Sequence, residues 1–152
     1  MTTAKKELAV TVEGFLVPMF GEQYSMWTED DGDVRFDVCV GAAPVGLIVE
    51  PVGEDGALLV GFHIIGVKVE DKQAAAAWVA KRNQQIRVDR VQMFEDDVVF
   101  LHSIFGPGVN KDCVRILLGL LAGESRSHAD LAAATGALTL ADLVALDNLG
   151  DI

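Results

Sequence analysis

Three runs between Val34 and Gly66 constrain this chain most. In VRFDVCV, Val34, Phe36, Val38 and Val40 fall on one side, and Arg35, Asp37 and Cys39 on the other. That alternation predicts a half-buried strand. A second strand spans 43–52 and stops at Pro51 and Gly53. EDG at 54–56 reads as a tight hairpin turn. ALLVGFHIIG, 57–66, is apolar on both faces, which predicts a central or twice-covered strand. Links this short force neighbouring strands to run antiparallel.

Helices flank that core. Leu8, Val12, Phe15, Leu16, Met19 and Phe20 recur at helical steps over 4–20, with Pro18 set to loosen the last turn and Gly21 to stop it. QYSMWT at 23–28 reads as a weak strand or loop, and TEDDGD as a turn. Asp71 caps a second helix, whose apolar face is Ala74, Ala75, Trp78 and Val79. Two strands follow around Glu95, Asp96 and Asp97. Asn110 caps a third helix with the stripe Val114, Leu117, Leu118 and Leu121. Cys113, Ile116 and Leu120 widen that stripe, as if a second surface lay beside it. In the tail, Ser127 with Asp130 and Thr139 with Asp142 have capping-box spacing, and Gly136 separates two short helices, or a helix extension and a short terminal helix. The pattern predicts an α+β fold. Its antiparallel sheet has about five strands with flanking helices, in the order α-β-β-β-α-β-β-α. Residues 1–125 form the α+β domain, and 126–152 a helical C-terminal extension packed on or near it.

The 152 residues carry a net charge of −11. Phosphate backbones are bound through Lys and Arg, and no basic run occurs, so direct nucleic-acid binding is not expected. Acidity suits solubility or a basic partner, such as the basic surface of a nucleic-acid-binding protein. Cys39 and Cys113 sit among apolar neighbours and read as buried thiols in a reducing compartment. MTTAKKELAV lacks the apolar run of a secretory signal, and no stretch is long enough to span a membrane. The expected location is the cytoplasm, with no membrane contact.

Chemical motifs are sparse. An EF-hand loop needs alternating acids before its Gly and a Glu six residues after it. EDDGD places adjacent acids before Gly32, and position 38 is Val. Acids also favour turns for local hydrogen-bonding reasons, which accounts for 95–97. His63, His102 and His128 form no metal-binding spacing. His63 and His102 lie in strands, where a satisfied imidazole is the usual case. Gly119 and Gly123 have G-x-x-x-G spacing, which outside a membrane means close packing. These readings imply no cofactor, no metal and no catalytic residue.

The run AAAAWVAKRNQQIRVDRVQMFEDDVVFLHSIFGPGVNKDCVRILLGLL resembles the YbjN family, whose members look like type III secretion chaperones. A helix ending at Asn83, a strand, an acidic turn, a strand, an exit at Pro107 and a leucine-rich helix carry the likeness. It covers about residues 8–122. The resemblance implies a type III secretion chaperone-like domain, a homodimer, that holds a protein partner and has a loose tie to regulation or stress response. The expected function is therefore a non-enzymatic, chaperone-like adaptor. The expected partner or dimer contacts are Leu58, Val60 and Phe62 on the apolar strand and Trp78, Val79 and Arg82 on the second helix. The alternatives are an acidic protein that fills a basic groove, and a small-molecule-binding or hydrolytic domain using His63 or His102.

Overall fold

A computed structural model describes residues 3–86, 88–140, 142–143 and 145–146. Six strands form one antiparallel sheet: β1 (Tyr24–Thr28), β2 (Val34–Val40), β3 (Ala43–Val52), β4 (Gly56–Gly66), β5 (Arg90–Phe94) and β6 (Asp97–Phe105). Their order is β1-β2-β3-β4-β6-β5. The helices are α1 (Thr3–Phe20), α2 (Lys72–Asn83), α3 (Lys111–Gly123) and α4 (Ser127–Thr135). The architecture is the expected α+β one, with six strands rather than about five. The added strand is β1. YSMWT has little strand signal of its own, but Tyr24 to Thr28 pair with Val38 to Val34 of β2. A neighbour supplies the ladder that local pattern leaves undecided.

Contacts gather into two units. The first runs to Phe62 and adds His102–Ala122; the second is His63–Leu101 with the segment from Gly123 onward.

In the first unit, Leu8, Val12 and Leu16 of α1 are buried, as are Val34, Phe36, Val45, Leu47, Val49 and Leu59 of the sheet. Gly61 lies on the same sheet face. A Cβ there would meet Leu121 Cδ1 at 2.7 Å and Leu117 Cδ2 at 2.9 Å, so only Gly lets α3 come this close. The two helices thus cover one face. The opposite face of β1–β4 carries no helix of this unit. α1 continues through Pro18 to Phe20 and ends where the Gly21 amide donates to Val17, with Gly21 at φ +60°.

In the second unit, Asp71 caps α2 by accepting from the Ala74 amide at 3.0 Å. Asn83 closes the other end. Its side chain donates to the Val91 carbonyl at 2.8 Å and accepts from the Val91 amide at 2.9 Å, in the manner of a strand neighbour. The acidic turn is structural. Asp96 accepts the Val69 amide at 2.8 Å through its carbonyl and pairs with Lys72 at 2.8 Å through its carboxylate. α4 ends at Gly136, φ +69°, as its spacing predicts.

Three local expectations need correction. Cys39 is exposed and Cys113 half-buried, because Cys39 shares the outer face of β2 with Arg35 and Asp37. Ser127 and Asp130 form no capping box. Ser127 Oγ instead lies 3.2 Å from Glu124, and Asp130 accepts from Trp78. Thr139 and Asp142 do form one, with bonds of 2.9 and 3.1 Å. Ile116 and Leu120 widen the α3 stripe into solvent, at 57% and 37% exposure, rather than against the chain's own surface.

Candidate functional site

The sheet face opposite α1 and α3 follows from strand alternation. Trp27, Arg35, Ile48 and Val60 form one row across β1–β4, and Ser25, Asp37, Gly46 and Phe62 form the next. Leu58 opposes Glu50. Leu58, Val60 and Phe62 are all half-buried, while Ala57 and Leu59 between them are buried on the helix side. A flat row of apolar side chains buries its own flanks but leaves its tops in water.

Arg35 organises this face. Its guanidinium lies 5.0 Å from the Trp27 ring centroid and 4.9 Å from that of Phe62. Cation–π contacts of this kind contribute roughly 0.5–1 kcal/mol each at exposed sites. Its nitrogens reach Asp37 at 3.2 Å and Glu29 at 3.7 Å. The Trp27 indole N–H donates to the same Glu29 carboxylate at 3.2 Å. Phe62 lies flat because it crosses Gly46, where a Cβ would overlap its ring. Gly46→Ala should therefore lift Phe62 off the sheet and separate it from Arg35. The expected loss is about 1–3 kcal/mol of stability, as for overpacking elsewhere, measured by urea unfolding. An unchanged midpoint would show that Phe62 is not held there.

On the other side of the sheet, α1 turns an uncharged surface outward. Val10 is 72% exposed and Val17 48%, and nothing approaches Gly14 between them. Glu13 is the single charged residue from Leu8 to Phe20, and it accepts from the Tyr24 hydroxyl at 2.9 Å. That bond is the largest cause raising the Tyr24 hydroxyl above its ordinary pKa, with burial and the Glu13 charge adding to it.

The second unit holds the other expected residues. Trp78 is buried, stands edge-on to Phe100 and donates its indole N–H to Asp130 at 2.8 Å. Arg82 pairs with Glu124 at 2.8 Å and lies 5.7 Å from the Phe100 ring. Val79 is half-buried. Trp78 and Arg82 are thus engaged by the chain's own C-terminal segment. A shallow groove of about 550 Å3 runs past Ala74, Ala77, Trp78, Lys81, Asp130 and Ala134.

His63 meets His128, not His102. Their Nε2 atoms are 2.8 Å apart and the rings stack at 5.0 Å and 12°. His63 is fully buried. One imidazole donates and the other accepts, so the accepting nitrogen carries no proton. Burial is the main cause holding His128 below its ordinary pKa, and His63 adds to it while Asp142 opposes. Among the described residues no three His, Cys, Asp or Glu side chains are grouped to hold a metal ion. Among the described residues no helix is long and apolar enough to cross a membrane.

Sequence reading missed Trp27, Met26, Arg35 and His128. The first three alternate along β1 and β2, so the signal existed once β1 was known to be a strand. Nothing local pairs His128 with His63.

No family model matches the chain, and no curated protein does. Among solved structures it is similar to a chain in the crystal structure of the ExsC–ExsE complex. That likeness has a TM-score of 0.48 and 15% identity, over 86% of this chain and 97% of the other.

Proposed function

We propose that this protein acts without catalysis, as a chaperone-like or adaptor protein that holds a protein partner on exposed apolar surface of its first unit. One observation carries the proposal. In a chain of net charge −11, the outward side of α1 and the helix side of the adjoining β1 expose Val10, Val17 and Met26 around one tethered carboxylate. Water-facing apolar surface of this kind marks an interaction site. Trp27, Leu58, Val60 and Phe62 form a second, partly exposed apolar surface on the opposite sheet face. The α2 residues Trp78, Val79 and Arg82 enter only together with the C-terminal segment, since Asp130 and Glu124 already hold two of them.

A homodimer belongs to the same proposal, with Ile116 and Leu120 of α3 as its contact. A role in regulation or stress response rests on the YbjN resemblance, and a cytoplasmic location is part of the same proposal.

The test compares affinity capture from the native cell by the wild type and by Val10→Glu/Val17→Glu. Both positions are exposed, so the variant should melt at the wild-type temperature. The expected result is a defined protein retained by the wild type and lost by the variant. Identical captures would remove α1 from the binding surface. Light scattering on Ile116→Glu checks the dimer separately, and a wild-type monomer at micromolar concentration ends that part of the proposal.

A further inference from the structure

We propose that the free edge of β1 takes up an extended, basic segment of the partner as a further strand of the sheet. This rests on the protein-binding reading above and names the chemistry of the partner.

β1 ends the sheet order, and Ser25–Thr28 are all exposed. Its backbone pairs with β2 on one side. Proteins usually blunt such an edge with charge, proline, a bulge or a covering segment, because unpaired N–H and C=O groups template further pairing. YSMWT contains no charge and no proline. The other end of the sheet order is treated differently. At β5 the Asn83 amide occupies both backbone groups of Val91.

The side chains of β1 also suit an incoming strand. Met26 is 51% exposed and shares the helix-covered side of the sheet with Phe36; Trp27 is 38% exposed and faces the other way beside Arg35. A strand laid along β1 meets an apolar neighbour on each face. One hollow lies along it, and a second lies past its Thr28 end, between the 29–33 turn and β3. The first, about 460 Å3, lies among Glu13, Val17, Gly21, Glu22, Tyr24 and Met26. The second, about 360 Å3, lies among Glu29, Asp30, Asp31, Asp33, Ile48 and Glu50.

Charge selects the occupant. Glu13 and Glu22 stand at the Tyr24 end, and Glu29, Asp30, Asp31, Asp33 and Glu50 at the Thr28 end. The nearby bases are committed, Lys5 to Asp33 and Arg35 to Asp37 and Glu29. The field is felt at Glu50. Burial raises its carboxyl pKa most, Asp33 and Asp31 raise it further, and Lys5 only partly opposes them. A second copy of β1, run antiparallel, would set Glu22 of one chain against the 29–33 turn of the other at both ends. Like charges so placed oppose pairing. A strand with Lys or Arg at each end and small or β-branched residues between them meets opposite charge at both ends.

The probe is a fluorescein-labelled peptide with a Val-Thr-Val-Thr core and two lysines at each end. It is compared with its glutamate-ended counterpart and with forms N-methylated along either edge of the core. Fluorescence anisotropy should show the lysine peptide binding about tenfold tighter or more than the glutamate one, with steep weakening as salt rises. One N-methylated form should lose binding, since methylation removes the amides that face β1. Asp30→Asn/Asp31→Asn should weaken the lysine peptide several-fold at an unchanged melting temperature. Absence of lysine-peptide binding, or equal binding of both peptides, overturns the inference. So does a dimer that Met26→Lys dissolves, which would seat a second copy on the edge. The wider protein-binding reading is decided apart from these, by the α1 variants.

Discussion

Trp78→Ala should lower stability by about 3–5 kcal/mol, the range for truncating a buried aromatic. Trp78 joins three parts of the second unit. It is 9% exposed on α2, its ring stands 6.4 Å from that of Phe100 on β6, and its N–H reaches Asp130 on α4. Removing the indole empties the contact beneath α2 and frees α4 from one of its polar ties. Against a typical total of roughly 5–15 kcal/mol, that loss is severe. Trp78→Phe separates the two contributions. It keeps an aromatic edge against Phe100 and forfeits the hydrogen bond, at about 0.5–1.5 kcal/mol. Asp130 is exposed, so its carboxylate returns to water at little further cost. Urea unfolding of the two variants gives the comparison. Equal losses for both would mean that the Asp130 bond, and not ring burial, holds α4 to α2.

Acid should weaken the fold through His128. Burial and the neighbouring His63 hold its pKa below the ordinary value of 6.5. In the unfolded chain His128 takes up a proton as pH falls through about 6.5. In the folded chain it resists until its own lower pKa is reached. The unfolded state therefore binds more protons in this window, and stability falls as pH drops through it. Above the window, protonation of His128 contributes nothing to the slope. His128→Phe keeps a ring to stack on His63 but removes the hydrogen bond and the titration. At pH above 7 this variant should be less stable by about 1–3 kcal/mol, the cost of leaving a buried polar atom without that partner. As pH falls the gap should narrow, because only the wild type loses stability to protonation of His128. Denaturant midpoints from pH 7.5 to 5.5 measure both curves. Parallel curves would show that His128 does not titrate with folding.

Much of the framework is legible in the residues because it is set by short-range rules. The alternation at Val34, Phe36 and Val38 names a strand and its inward face before any partner is known. Asp71, Asn110 and Thr139 cap helices because a short side chain reaches an amide three residues on, a geometry internal to the turn. Gly21 and Gly136 end helices because each takes a positive φ that other residues avoid. The same rules mislead where a second partner competes. Ser127 and Asp130 have the right spacing for a box, but Asp130 is spent on an indole N–H from 52 residues away.

What the chain by itself determined, then, is the run of strands and helices, most of their ends, and the faces they turn inward. These depend on φ preference, side-chain reach and a period of two or 3.6 residues, all acting within a few positions. Tertiary structure alone decided that YSMWT is a strand, since its ladder exists only against β2. It alone set His63 against His128, 65 positions apart, and placed β1 at the end of the sheet order with Met26 and Trp27 exposed. Such pairings depend on which segments meet once the chain has closed its loops, and no local window contains that information.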